Sequence, residues 1–110
     1  MRVIVCGGRD YDDWLHVNVT LSNLGEITHL AEGGAPGADY LAAQWATRKG
    51  VMHERYSADW LQHGKAAGPI RNALMLSHFK PDLVVAFPGG KGTADMVRRA
   101  VAADVKVVMA

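Results

Sequence analysis

Apolar runs alternate with helical periodicity along this chain. Arg2–Cys6 reads as a first strand, followed by the turn Gly7-Gly8-Arg9-Asp10. Trp14, Val17, Leu21 and Leu24 recur at spacings of three and four, predicting a helix over 11–24 that Gly25 stops. Ile27–Ala31 is a second strand, and Glu32–Gly37 a second glycine-rich turn. A helix over 39–49 ends at Gly50, before a third strand over 51–56. Residues 57–68 form the longest irregular stretch, long enough to be a flap. Pro69 fits the first position of a helix reaching Phe79, because its missing N–H would be unpaired there. Leu83–Phe87 is uniformly apolar, as a strand covered on both faces would be. A last helix, with Thr93 as its cap, covers 93–103, and a last strand 105–109.

Five strands alternating with four helices predict an α/β, Rossmann-like three-layer sandwich. Right-handed crossovers favour a mainly parallel sheet in the order 3-2-1-4-5. Its strand order reverses between strands one and four, and ligands in such sheets bind beyond the strand ends at that point. The turns after those two strands, Gly7-Gly8-Arg9 and Pro88-Gly89-Gly90, should therefore meet.

The chain has 110 residues, enough for a single domain over 1–110 with its own core. Hydrophobic content is 49% and charged content 21%, as in ordinary globular proteins. A net charge of +1 gives no general attraction to nucleic acid. No stretch suits a signal peptide or membrane span, and one cysteine excludes an internal disulfide, so a cytoplasmic location is expected. Five histidines without ligand spacing predict no metal, and no cofactor is expected. Uncovered sheet edges point to a homo-oligomer.

Candidate chemistry gathers in the glycine turns. Pro88, Gly89, Gly90, Lys91, Gly92 and Thr93 sit between a strand and a helix start, where free N–H groups and the helix dipole suit a phosphate. The run matches neither a Walker A loop nor the GxGxxG fingerprint. Gly7, Gly8 and Arg9 supply a second turn, and Arg9 serves either a phosphate or an ion pair with Asp12 or Asp13. Glu32, ahead of Gly33 and Gly34, is either a ribose-binding acid or a solvated loop charge. Arg71 and Asn72 open an otherwise apolar helix. The guanidinium there needs a partner, either a ligand phosphate or an internal acid such as Asp10 or Glu32. Asp39 reads as a helix-start charge, Trp60 as core or a base-stacking ring, and Cys6 as packing.

Four segments together carry a family resemblance: Val5–Tyr11, Glu32–Asp39, Gly64–Asn72 and Val85–Asp95. The chain resembles the YspA/YpsA-related branch of the SLOG superfamily. That resemblance implies a Rossmann-like fold binding a nucleotide or nucleotide-derived ligand, as a sensor or sequestering module. Among superfamily relatives, LONELY GUY proteins hydrolyse the N-glycosidic bond of nucleotides, and DNA-processing protein A binds single-stranded DNA. The hydrolases carry PGGxGTxxE, and the place of its glutamate is taken here by Met96, which cannot exchange a proton. Arg71 matches the family's arginine, so an enzyme would have to rely on Arg71 with Glu32 or Asp10 as the acid.

Overall fold

The computed structural model describes residues 1–110. Its elements in chain order are β1 (Arg2–Cys6), α1 (Trp14–Ser22), β2 (His29–Glu32), α2 (Ala38–Lys49), β3 (Met52–Arg55), α3 (Trp60–His63), α4 (Ala67–Phe79), β4 (Leu83–Ala86), α5 (Lys91–Ala102) and β5 (Lys106–Met109). All four strand pairings are parallel, in the order β3-β2-β1-β4-β5, as expected from the alternation of elements. In β1 the side chains alternate between two cores. Val3 and Val5 pack with α1 and α2, around Val17, Leu21, Ala42 and Trp45. Ile4 and Cys6 face Met75 and Phe79 of α4 and Met96 and Ala100 of α5. Period-two alternation thus puts helices on both faces of one sheet. No helix is long and apolar enough to cross a membrane.

Several boundaries differ from the periodicity reading, each for a local reason. α1 starts at Trp14 because the Asp13 carboxylate caps it, accepting from the His16 N–H at 3.0 Å. α4 begins at Ala67, so Pro69 is its third residue, still within the turn whose N–H groups have no helical partner. α5 begins at Lys91 with Gly90 as its cap residue, which places Thr93 inside the first turn rather than at the cap. The segment 57–68 is not irregular throughout: Asp59 caps the single turn α3, and a 3-10 turn over Gly64–Ala66 leads into α4.

The turns after β1, β2 and β4 pack backbone against backbone. Gly8 donates its N–H to the Pro88 carbonyl at 2.8 Å, and its own carbonyl accepts from Tyr11 (3.2 Å) and Ala38 (3.1 Å). Any Cβ on Gly8 would lie 2.9 Å from the Pro88 oxygen, and one on Gly89 would lie 2.7 Å from the Gly8 nitrogen. Gly37, at φ +80°, would drive a side chain into the Gly8 and Arg9 carbonyls. Gly50 also has positive φ (+69°), but nothing lies near its missing side chain.

That contrast is measurable. Gly50→Ala should cost about 1 kcal/mol of unfolding free energy, the left-handed backbone penalty alone. Gly37→Ala should cost roughly 3 kcal/mol or more, because overlap with a neighbouring turn is added. Urea unfolding of the two variants compares them directly.

Candidate functional site

The three turns and the start of α4 enclose a cavity of about 800 Å³ at the C-terminal end of the sheet. That is within the range of small-molecule sites. It lies at the strand-order reversal between β1 and β4, where the topology places ligands.

Its most distinctive wall is the loop from Gly89 to Thr93. Lys91, Gly92 and Thr93 are the first three residues of α5, so their N–H groups have no helical acceptor, and the first helical bond comes from Ala94 to Gly90. Neither these nor the Gly89 and Gly90 N–H groups find any acceptor in the protein. Five successive amides are therefore unengaged, at the positive end of a 12-residue helix. The Thr93 hydroxyl packs against Gly89 and makes no hydrogen bond either. Around this loop the cavity carries four cationic side chains, Arg9, Lys65, Arg71 and Lys91.

Arg9 is exposed and forms no ion pair with Asp12, Asp13 or any other acid. Asp10 lies beside it at the exposed rim. Arg71 pairs with neither Asp10 nor Glu32. Its Nη1 donates to the Gly33 carbonyl and, at 3.4 Å, to that of Tyr56, while Nε donates to Asn72 Oδ1 at 2.9 Å. Neutral carbonyls anchor the guanidinium without cancelling its charge, and Nη2 remains free. A Cβ on Gly33 would overlap Nη1, so the glycine makes room for the arginine.

Asn72 is buried and fully used. Besides accepting from Arg71, it donates to the Gly92 carbonyl (3.1 Å) and to Asp95 Oδ2 (3.0 Å). It thereby ties Arg71 on α4 to the first turn of α5. Trp60 stands at the cavity rim, its ring edge against Gly68.

Two comparisons bear on this arrangement. The sequence pattern of the YspA, cpYpsA-related SLOG family matches residues 1–63. The chain belongs to that family. The "Gene 61 protein" of Mycobacterium phage D29 is 35% identical over 118 residues, covering 97% of this chain and 94% of its own. The family match takes in the turns after β1 and β2, and the likeness to the phage protein extends over nearly all of the rest.

Within that family frame, several side chains lie elsewhere than sequence reasoning expected. Glu32 is neither a solvated loop acid nor part of the cavity wall. It is fully buried, accepting from Gly34 N–H (2.6 Å), His53 Nε2 (2.7 Å) and Arg55 Nε (2.8 Å). The register β2–β3 sets Glu32 opposite Arg55 and Leu30 opposite His53, so both partners sit on its face of the sheet. Gly34, which packs near Arg55, also lies outside the cavity. Met96, at the place of the hydrolases' glutamate, is wholly inside the α4–α5 core.

Asp95 does line the cavity, but its carboxylate is occupied. Burial pushes its pKa up, yet the Asn72 hydrogen bond and the Arg99 and Arg98 guanidinium groups (2.9 and 2.6 Å) outweigh that and hold it below the usual carboxylate range. It organises the start of α5 as a fixed anion.

Asp39 is the residue that sequence reasoning undervalued. It is the second residue of α2, only 5% exposed, and lines the cavity next to Gly33. Its Oδ2 accepts from the Ala35 N–H at 3.2 Å, and no cation forms a salt bridge with it. Burial pushes its carboxyl up to about 6, with Glu32 adding to the shift and the Ala35 and Gly33 amides and Arg71 opposing it. Cys6 faces the same region. Burial, aided by Asp39, pushes its thiol up to about 12, so it stays protonated. No linear pattern marks Asp39, because its burial arises from the packing of α2 against the first turn.

Two substitutions separate these acids. Glu32→Gln should destabilise the fold by about 2–4 kcal/mol, since it leaves His53 and Arg55 facing an uncharged amide, Arg55 being partly screened by solvent. Asp39→Asn should do the reverse at neutral pH. The folded carboxyl holds its proton to about pH 6, whereas the unfolded one releases it near 3.8. Between those values the folded state binds more protons, so stability falls as pH rises, reaching a penalty of roughly 3 kcal/mol above pH 6. The variant should therefore melt higher than the parent at pH 7.5 and show little advantage at pH 4.

Proposed function

We propose that the protein binds a nucleotide or nucleotide-derived phosphorylated small molecule, as a sensor or sequestering module. The observation that carries this reading is the row of five unengaged amides from Gly89 to Thr93, opening on a cavity that also holds Arg9, Lys65, Arg71 and Lys91. A phosphate placed on those amides would satisfy several at once, and the α5 dipole would favour its charge. Arg9 and the free Nη2 of Arg71 would close on its outer oxygens in charge-assisted hydrogen bonds. Trp60 at the rim offers a flat face for a base.

A second reading is N-glycosidic hydrolysis of a nucleoside monophosphate. It needs a proton donor in the cavity. Glu32 lies outside it and Asp95 is held as an ion, which leaves Asp10 and Asp39 for that part. Asp39 favours the reading to this extent: its raised pKa suits proton exchange near neutrality.

Thermal melts against pyrophosphate, nucleoside monophosphates, cyclic nucleotides and phosphate-free nucleosides test both. Phosphorylated compounds should raise the melting temperature and phosphate-free nucleosides should not. Arg9→Ala, which removes an exposed and unpaired charge, should weaken phosphate binding about tenfold while leaving the ligand-free melting temperature unchanged. The nucleotides should be recovered intact. Released free base would replace the binding reading with the hydrolytic one, and no response to any phosphorylated compound would remove both.

A further inference from the structure

Asp39 costs stability where it stands, and the Ala35 and Gly33 amides with Arg71 offset only part of that cost. The residue is 5% exposed, lines the cavity, and makes no salt bridge with any cation. Arg71 lies across Gly33, close enough that a Cβ there would overlap Nη1 and come within 3.1 Å of Asp39 Oδ2. A largely buried carboxylate held by backbone amides but by no ion pair, on the wall of a cavity, has lone pairs left for hydrogen-bond donors from a ligand. An ammonium group is a poor candidate, because the neighbouring guanidinium would repel it. Neutral hydroxyls donate to the carboxylate without that repulsion, and its unused lone pairs can take two of them.

We propose that Asp39 is a specificity-determining residue that accepts hydrogen bonds from the hydroxyl groups of a ribose-type sugar phosphate. The proposal rests on the phosphate-binding reading above, with the phosphate on the Gly89–Thr93 amides. The ribose role that the chain pattern offered to Glu32 passes to Asp39, because Glu32 is spent on His53 and Arg55 outside the cavity.

The charged and titratable groups facing Asp39 are Cys6 from β1, Glu32 from β2 with His53 beyond it, Arg71 from α4, and Arg9 and Asp10 across the cavity in the first turn. Ionised Asp39 accepts from hydroxyls. Once protonated, one of its oxygens becomes a donor, and the preference for a hydroxyl-rich sugar should fade below about pH 6.

The test is a nuclear magnetic resonance titration of the isotope-labelled full chain with ribose 5-phosphate, 2-deoxyribose 5-phosphate and inorganic phosphate, at pH 7.5 and 5.0. These probes carry no base, so the unknown base does not enter. The two sugars bear the same phosphate monoester, so its own titration cancels in their affinity ratio. At pH 7.5 the parent protein should prefer ribose 5-phosphate about tenfold, the worth of one hydrogen bond to a charged acceptor. At pH 5.0 the ratio should approach one. Asp39→Asn should show a ratio near one at both pH values. Because His53 stays in place in that variant, a pH dependence arising there would survive the substitution and count against Asp39.

Equal affinity of the parent for both sugars overturns the proposal without needing a variant. So does a preference that persists in Asp39→Asn. Phosphate binding without sugar preference overturns this assignment alone, whereas failure of every probe to shift the Gly89–Thr93 amides removes the phosphate reading with it.

Discussion

The architecture of the site depends on one close approach, the backbone contact between the turns after β1 and β4. Gly8 and Pro88 share a hydrogen bond at 2.8 Å with no space for a side chain on Gly8 or Gly89, and Gly37 brings the third turn against the same residue. Because three turns are locked to one another there, the amides after Pro88 cannot fold back to find acceptors in the protein. They are held open at the start of α5. The Gly8 carbonyl also accepts from the Ala38 N–H at 3.1 Å, which sets the start of α2, and Asp39 with it, against the first turn. A cradle that would suit an anion and a desolvated acid are thus two consequences of one packing constraint.

Electrostatics around the cavity follow a division of labour. Two of the acids near the guanidinium groups are already occupied: Glu32 by His53 and Arg55, Asp95 by Arg98, Arg99 and Asn72. Arg71 is anchored by carbonyl groups and Asn72 rather than by a carboxylate. Its charge therefore stays available to the cavity. Asp39 departs from this pattern. Its isolation works against the fold at neutral pH, a cost of the kind that binding sites carry when they are built for a partner the folded chain does not contain.

The fold was largely legible in the chain. Uniform apolar strands such as Leu83–Ala86, alternating with amphipathic helices, leave few right-handed parallel topologies, and the strand order followed from them. Local chemistry set the boundaries that periodicity missed. Asp13 and Asp59 start helices through side-chain caps, and a glycine rather than Thr93 takes the cap position of α5. The glycine turns were visible because glycine is a local signal. The partners of Arg71 and Glu32 were not, because each depends on which side chains adjoining elements present.

By itself, then, the sequence determined the alternation of elements, the family, and the turns that meet at the strand-order reversal, since all three reside in local patterns. Only the tertiary structure decided which acids face the cavity. β2–β3 register turned Glu32 toward His53 and Arg55, and the seating of α2 on the first turn desolvated Asp39. Charge state and availability depend on neighbours brought from distant parts of the chain, and residue order alone does not encode their distances in any local window.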